Sequence, residues 1–383
     1  MTPDIDQAVK QVRRSFGITR LDNLAVLDIT GPDALRFMQN RLSNDVLSMQ
    51  VGQGQLNAAL DRQGKIQGIF DLYRQEDGLK MLISRAEQEN CIAQIEKFHI
   101  VEQFIVKEIT NIVIISLQGP QSGSFLKSLL QTETTISLPE KEHTWIVAQV
   151  SGQPVWIIRR SFSGDAGFLV LAEAEPPQTF WDSVKDAALS AQGIEMSTQV
   201  QEVLRVEAGI PRFGADYDFE TLLPETGLER QAVSYSKGCY LGQETIARIK
   251  TYGMVQKALV GLLFEQTLRQ EELPPAGSEC LVDGKVVGSI RSVVFSPTLN
   301  RGISMAYLGK SERVPGKKLA LNIGGKPFQV EVALLPFYEG GAHDKSGRQL
   351  LEEGLKLFAD GFDEAAMRTL RLAIEVEPGL IEA

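Results

Sequence analysis

The sequence predicts an α+β fold followed by a separate all-β domain, and three observations support this prediction. Segments that alternate between apolar and polar residues are interleaved with segments of helical spacing up to Lys257. Short apolar segments separated by glycine and proline turns follow over residues 258–338. A helical pattern then occupies residues 342–383. We therefore expect domains at 1–257, 258–338 and 342–383, with antiparallel strands in the first rather than a doubly wound sheet.

The first domain contains clear strand and helix signals. Residues 24–30 alternate and end at a Gly-Pro pair, which predicts a strand, and helical spacing follows from Asp33. Two apolar segments, 57–60 and 66–73, flank a turn that ends at Gly64, so we expect a β-hairpin. The other predicted strands are 112–117, 155–160 and 168–171, and the other predicted helices are 180–191 and 199–208.

Residues 258–338 are predicted to form a small β-barrel or sandwich. Pro-Pro, Asp-Gly and Gly-Gly pairs punctuate this region, and such pairs mark turns between strands. The candidate strands are 258–264, 279–282, 286–289 and 328–335.

The C-terminal segment fits one copy of the tetratricopeptide pattern over residues 347–380. An ordinary terminal helical hairpin has nearly the same shape and is the alternative. A single repeat cannot bury its own apolar face, so we expect this segment to pack on a protein partner, on another copy of the chain, or on further repeats beyond Ala383. The signature positions are Leu350, Gly354, Leu357, Phe362, Ala366, Leu370, Ala373 and Pro378.

Composition and charge exclude several classes of function. The 383-residue chain has a formal charge of −10, which argues against general nucleic-acid binding because that depends on releasing counterions from phosphates. No segment approaches the roughly 18 apolar residues of a membrane span, and the N-terminus lacks the apolar core of a signal peptide. The 3 cysteines show no framework spacing, so a reducing, cytoplasmic location is predicted. The 3 histidines show no ligand spacing with cysteine, so no resident metal site is predicted.

The most informative segment is residues 237–244, Lys-Gly-Cys-Tyr-Leu-Gly-Gln-Glu. Its glycines permit unusual backbone conformations and a close approach to a ligand. An ammonium group two residues from a thiol favours the thiolate, which is the reactive form. A small buried structural cysteine is the alternative. The candidate site comprises Lys237, Gly238, Cys239, Tyr240, Gly242, Gln243 and Glu244, with Cys239 as the reactive group.

The region around this motif is locally basic. Within residues 230–257, Glu244 is opposed by five basic residues. A solvated helix face would explain such a cluster, but its position around the motif of an acidic protein favours a binding site for an anionic ligand. The five residues are Arg230, Lys237, Arg248, Lys250 and Lys257.

Two upstream segments carry further polar groups. Asp165 lies in a glycine-flanked turn, and Arg205 and Glu207 lie near the end of a predicted helix. A structural ion pair between Arg205 and Glu207 and a ligand contact are both consistent with the sequence. Carboxylates such as Asp165 and Glu207 are suitable acceptors for a planar heterocycle with several N–H donors.

These segments together resemble the YgfZ group of folate-binding proteins, which is related to the aminomethyltransferase (T-protein) of the glycine cleavage system. The octapeptide, followed by Ala247-Arg248, is the specific element of this resemblance. The resemblance extends over about residues 20–338 and excludes the C-terminal segment. The supporting segments, in the order that the superfamily uses, are 42–46, Gly64-Lys65, 163–167 and 204–211.

The resemblance implies a ring of two α+β subdomains and a C-terminal β-barrel, with tetrahydrofolate in the central hole. It also implies a role in assembling or repairing the iron–sulfur clusters of client enzymes, including some that modify tRNA. Cys239 would be the essential motif cysteine and a transient cluster ligand. The folate contacts implied are Asp165, Arg205 and Glu207 near the pterin, and Arg248 and Lys250 near the glutamate tail.

One difference between this chain and the aminomethyltransferases distinguishes the folate-binding YgfZ branch of this superfamily from the transferase branch. Aminomethyltransferases carry a catalytic carboxylate shortly after the glycine that matches Gly64, where this chain has Gly68 and Ile69. Asp71 follows two residues later, which is a displacement of about 7 Å along a strand. Iron–sulfur support is therefore the leading hypothesis. The alternatives are a folate-dependent one-carbon transferase that uses another carboxylate, and a scaffold that recruits partners through its C-terminal helices.

Overall fold

The computed structural model describes residues 4–130, 137–252, 255–266, 268–323 and 326–340, together with separate residues between 350 and 373. Two α+β domains and a closed β-barrel make up the architecture, which confirms the predicted fold class. The elements before the barrel are α1 (Ile5–Arg14), β1 (Gly17–Arg20), β2 (Leu24–Thr30), α2 (Ala34–Arg41), β3 (Gly54–Leu60), β4 (Ile66–Arg74), β5 (Gly78–Ser84), α3 (Arg85–Glu96), β6 (Ile105–Glu108), β7 (Ile112–Gln118), α4 (Ser122–Leu129), β8 (Trp145–Val150), β9 (Gln153–Arg159), β10 (Gly167–Glu173), α5 (Pro177–Ser190), β11 (Ile194–Glu195), α6 (Thr198–Glu207), α7 (Glu229–Ala232) and α8 (Gln243–Tyr252).

The first α+β domain is built on a five-stranded antiparallel sheet in the order β3-β4-β5-β2-β6. Helices α2 and α3 contribute Phe37, Met38 and Cys91 to an apolar core shared with the sheet. The predicted hairpin is present as β3 and β4. Its turn ends at Gly64 with φ at +83°, a conformation that favours glycine.

The second α+β domain has a six-stranded sheet in the order β11-β1-β7-β10-β9-β8. Its neighbouring strands are antiparallel except for the pair of β1 with β11, which is parallel. Helices α4 and α5 bury Phe125, Phe180 and Trp181 against this sheet. The mostly antiparallel pairing agrees with the alternation read from the sequence.

The barrel closes in the order β12-β15-β14-β13-β16-β17. Strand β15 pairs with both β12 and β14, and seven successive residues of it are buried. This strand was not predicted from the sequence. The barrel strands are β12 (Lys257–Phe264), β13 (Glu279–Val282), β14 (Lys285–Ser296), β15 (Arg301–Gly309), β16 (Lys318–Ile323) and β17 (Lys326–Ala333).

The described residues between 350 and 373 are helical. Leu350, Ala366 and Ala373 are buried there, and a Cβ atom added at Gly354 would lie 2.7 Å from the Leu370 side chain. This close contact fits two helices that approach at small residues, while the tetratricopeptide assignment itself stays a prediction. Three of its signature residues lie outside the described residues: Leu357, Phe362 and Pro378.

Candidate functional site

A cavity of about 1260 Å³ lies where the two α+β domains and the barrel meet. Strand β4 of the first sheet contributes Ile69 and Asp71 to its wall, β7 of the second sheet contributes Gln118, and β12 of the barrel contributes Leu259 and Val260. Each domain therefore supplies part of one shared pocket. Pockets at domain junctions are common ligand sites.

Strand β4 presents alternate residues to the cavity. Ile69 and Asp71 line it, whereas Gly68 is not among the lining residues, and the Phe70 side chain is part of the apolar core although Phe70 also borders the cavity. A Cβ atom at Gly68 would lie 2.7 Å from the Cβ atom of Cys91, so Gly68 permits close packing of α3 on the sheet. Neither Gly68 nor Ile69 offers a carboxylate, as the sequence comparison with aminomethyltransferases predicted.

A carboxyl group nevertheless reaches this part of the wall from a different element. Glu87, in the first turn of α3, is 2% exposed and lines the cavity. The backbone N–H of Ile69 donates to its Oε1 over 3.0 Å, and the Tyr217 hydroxyl donates to it from 3.3 Å. Burial raises the pKa of Glu87 to about 7. Sequence reasoning missed Glu87 because an acidic residue in the first turn of a helix is ordinary.

A second polar group lies further along β4. Asp71 accepts a hydrogen bond from the guanidinium of Arg160 over 2.8 Å. His143 Nδ1 lies 3.4 Å from Asp71 Oδ1, and both of these buried atoms lack a hydrogen-bond partner among the described residues. Burial lowers the pKa of His143 to about 4, so this imidazole is neutral at pH 7. The wall of the cavity thus retains unused hydrogen-bonding capacity.

Asp165 and Glu207, the predicted pterin contacts, are joined by Arg13 of α1. Arg13 donates to Asp165 over 2.6 Å and also forms an ion pair with Glu207. Glu207 is fully buried and additionally accepts a hydrogen bond from Thr298 of the barrel over 2.9 Å. Asp165 lines the cavity and accepts a hydrogen bond from the Tyr338 hydroxyl, whereas Glu207 is not among the lining residues. This cluster primarily links the domains.

Arg205 also lines the cavity, but its charge is already compensated. Its guanidinium pairs with Asp216 over 2.6 Å and with Glu202. It also donates to the carbonyl oxygen of Ile210 over 3.0 Å. The Arg205–Glu207 pair considered from the sequence is not formed, because Arg13 takes the place of Arg205 beside Glu207.

Lys237, the first residue of the octapeptide, holds the end of α2. Its ammonium group donates to the carbonyl oxygens of Gln39, Leu42 and Asn44 over 2.5, 2.7 and 2.8 Å. Burial lowers the pKa of Lys237 to about 8. Carbonyl groups at a helix C-terminus lack intrahelical donors, so Lys237 supplies what α2 itself cannot. These contacts give the ammonium a structural role.

The second glycine of the octapeptide packs against the β3–β4 turn. Gly242 has φ at +84°, and a Cβ atom there would lie 2.6 Å from the carbonyl oxygen of Asp61 and 3.3 Å from Gly64. Helix α8 begins at the next residue, Gln243. Gly242 and Gly64 therefore allow the motif and the hairpin turn to touch.

Cys239 lies between these two attachment points and is exposed. Gly238 has open space around it, and the Tyr240 side chain is buried. Residues 237–250, all of which the structure describes, contribute nothing to the lining of the central cavity. The thiol is therefore presented to the solvent outside the cavity.

Arg248 and Lys250, the basic residues that follow the motif, do not line the cavity either. Arg248 forms an exposed ion pair with Glu244 over 2.6 Å, and the Lys250 ammonium lies 3.7 Å from the centre of the Tyr235 ring. The arrangement does not match their predicted contact with a folate tail in the central hole. The guanidinium groups that line the cavity are those of Arg20, Arg159, Arg160, Arg205, Arg212, Arg230 and Arg313.

Two further observations concern metal binding and membrane-spanning helices within the described residues. No group of three or more His, Cys, Asp or Glu residues within them is arranged to hold a metal ion. No helix in the described part of the chain is long and apolar enough to cross a membrane.

Comparisons with known proteins agree with this fold. The family model of the GCVT N-terminal domain matches residues 1–237, and that of the glycine cleavage T-protein C-terminal barrel domain matches residues 257–339. An aminomethyltransferase of Nostoc sp. is 28% identical over 334 residues, with 85% of this chain and 86% of the relative covered. One of Streptomyces avermitilis is 26% identical over 332 residues, with 85% and 87% covered. The crystal structure of glycine cleavage system aminomethyltransferase T from Bartonella henselae superposes with a TM-score of 0.78 at 20% identity, covering 88% of this chain and 90% of that one.

Proposed function

Because the chain belongs to the glycine cleavage T-protein family, we propose that it binds tetrahydrofolate in the central cavity and performs a folate-dependent one-carbon transfer. The main supporting observation is the cavity of about 1260 Å³ with Glu87 in its wall. Its volume is enough for a drug-sized ligand. Relatives named aminomethyltransferase align along 85% of the chain, which favours the same class of reaction.

The residues of the cavity fit a folate. The pterin ring offers N–H donors, and Glu87 and the unpartnered Oδ1 of Asp71 are acceptors in the wall. The folate tail ends in carboxylates, and the arginines of the lining suit carboxylates because the planar guanidinium pairs with them through two hydrogen bonds. When bound, tetrahydrofolate would supply the nitrogen atoms that accept the one-carbon unit. The protein would orient it by accepting hydrogen bonds from its N–H groups at Glu87 and Asp71.

Calorimetric titration of the purified chain with reduced tetrahydrofolate tests this proposal. We expect saturable binding to one site per chain. Ile69→Trp should weaken binding at least about tenfold because the indole would enter the cavity, whereas Val147→Trp, at an exposed position of β8, should not. Absence of binding at millimolar tetrahydrofolate would remove the proposal. Formation of methylenetetrahydrofolate from an amine donor would identify the reaction as transfer.

A second candidate function, support of iron–sulfur cluster assembly or repair, is favoured by the exposed thiol of Cys239. Lys237 and Gly242 attach the motif to α2 and to the β3–β4 turn on either side of this thiol. An exposed cysteine on an anchored segment outside the ligand cavity is accessible to a client protein. In this function Cys239 would act as a transient cluster ligand, while folate would bind separately.

Cys239→Ala tests the second function. The variant should lose support of a client cluster enzyme and bind tetrahydrofolate like the wild type, because the motif lies outside the cavity lining. Ser236→Ala, three residues earlier, is the matched control and should retain full support. Full complementation by Cys239→Ala would show that the thiol is not required. Equal loss in both variants would point to the segment rather than to sulfur.

A further inference from the structure

We propose that Glu87 recognises the donor edge of the pterin ring and releases a proton when the ligand binds. This inference rests on the proposed folate binding and assigns a specific group to it. Two adjacent N–H donors on one edge of the ligand would be accepted by the two oxygens of one ionised carboxylate. Glu87 would therefore determine which planar heterocycle the cavity accepts.

The geometry around Glu87 leaves room for this interaction. Its carboxyl group receives two protein donors, the Ile69 N–H at 3.0 Å and the Tyr217 hydroxyl at 3.3 Å from both oxygens. An ionised carboxylate has about four lone-pair sites, so acceptor capacity remains for a ligand. The residue lines the cavity although it is only 2% exposed, which means that a ligand would meet it in a largely dehydrated setting.

Glu87 differs from other carboxyl groups of the lining in having no cationic partner among the described residues. Asp71 pairs with Arg160 at 2.8 Å, and Asp165 pairs with Arg13 at 2.6 Å. These pairs compensate the negative charges before any ligand arrives. A carboxylate without a counter-ion in a buried site gains most from ligand donors, because a buried charge is costly until it is hydrogen-bonded.

Few titratable groups face Glu87 from the elements around it. Tyr217 donates its hydroxyl hydrogen bond from the loop after α6, and Cys91 lies on the same helix. Of the charged residues on the neighbouring strands, Asp71 of β4 is paired with Arg160, and Lys80 of β5 is paired with Asp28. These neighbours place no unpaired charge beside Glu87, whose pKa burial raises to about 7.

The direction of the pH effect follows from the two states of the site. In the empty site burial raises the pKa of Glu87 to about 7, so the carboxyl is mostly protonated below pH 7. Ligand N–H donors favour the ionised form. Binding therefore expels a proton below pH 7. The affinity should rise with pH, approaching about tenfold per pH unit on the acidic side, and become constant above pH 7.

Glu87 also lies beside the part of β4 where this chain lacks the acid of the aminomethyltransferases. The backbone N–H of Ile69, where the transferases carry their acid, donates directly to the Glu87 carboxyl. A helix that follows the sheet thus brings a carboxyl to the place where the strand itself has an isoleucine.

The test is calorimetric titration of the full chain with reduced tetrahydrofolate at pH 5.5–8, in two buffers of different ionisation enthalpy. The wild type should release close to one proton per ligand at the acidic end and almost none at pH 8. Glu87→Gln should abolish the proton release and flatten the pH dependence. Glu89→Gln, which alters an exposed carboxyl of the same helix outside the lining, is the matched control and should keep both.

Tyr217→Phe should shift the pH dependence of binding, which would not happen if Glu87 had a purely structural role. The hydrogen bond from Tyr217 lowers the pKa of Glu87 and so opposes the larger effect of burial. Its removal should move the midpoint of the pH dependence to higher pH while leaving proton release intact. Circular dichroism confirms folding of each variant.

The outcomes separate this inference from the proposed function. If tetrahydrofolate binds with the same affinity at every pH, or if Glu87→Gln keeps the proton release, Glu87 does not recognise the ligand although folate binding stands. If the folded wild type does not bind tetrahydrofolate, the proposed function fails first and this inference fails with it.

Discussion

At the scale of single residues, glycines of the octapeptide differ in what they do. Gly242 combines a φ of +84° with a Cβ position 2.6 Å from the Asp61 carbonyl oxygen, so a side chain there would be strained and would collide with backbone. Gly238 meets no atom within 4 Å of its Cβ position. The two glycines therefore form a matched pair with opposite expectations.

Gly242→Ala should reduce the free energy of unfolding by about 1–3 kcal/mol. Gly238→Ala should change it by no more than about 0.5 kcal/mol. Urea denaturation followed by circular dichroism measures both. Equal effects of the two substitutions would contradict the contact between the motif and the β3–β4 turn.

The role of Lys237 could not be inferred from its residue type and its place in the sequence. Its position two residues before Cys239 suggested an effect on the thiol, yet its ammonium donates to three carbonyl oxygens near the end of α2. A lysine can satisfy several carbonyls because it has three donors. The sequence contains both partners of this contact but places them about 200 residues apart.

At the scale of elements, the order and type of the strands could be predicted where alternation or turns were present. The β3–β4 hairpin was predicted from two apolar segments and a glycine turn, and the structure contains it. Strand β15 was not predicted, although β4, with eight successive buried residues, was. The difference lies in the turns, because a glycine turn marks the β3–β4 hairpin, whereas the turn before β15, residues 297–300, contains no glycine.

The alternation of β4 also explains part of the candidate site. Since neighbouring residues of a strand point to opposite faces, Ile69 and Asp71 share the cavity face and Gly68 packs on α3. The sequence alone therefore sufficed to show that no acid occupies positions 68 and 69. It could not show that α3 brings Glu87 to the same place.

At the scale of the whole molecule, Arg13 links distant parts of the chain. From α1 it contacts Asp165 of the second α+β domain and Glu207 at the end of α6. Its guanidinium also lies 3.6 Å from the centre of the Tyr338 ring, which follows the barrel. The cavity depends on these domains being held together.

Arg13→Met should destabilise the protein by about 3–5 kcal/mol, because it leaves two buried carboxylates without their cation. Arg14→Met is the control, since Arg14 is the exposed neighbour on the same helix. The free energy of unfolding in urea distinguishes the two. A loss of less than about 1 kcal/mol in Arg13→Met would mean that the cluster does not hold the domains together.

The sequence by itself determined the α+β class, the separate barrel, the conspicuous octapeptide and the absence of an acid at positions 68 and 69, because periodicity, turn residues and motifs are local properties. Only the tertiary structure decided what these residues face. It separated Cys239 from the cavity, joined Asp165 and Glu207 through Arg13, and brought Glu87 beneath Ile69. The physical reason is that burial and the pairing of charges depend on contacts between residues far apart in the chain, which no local pattern records.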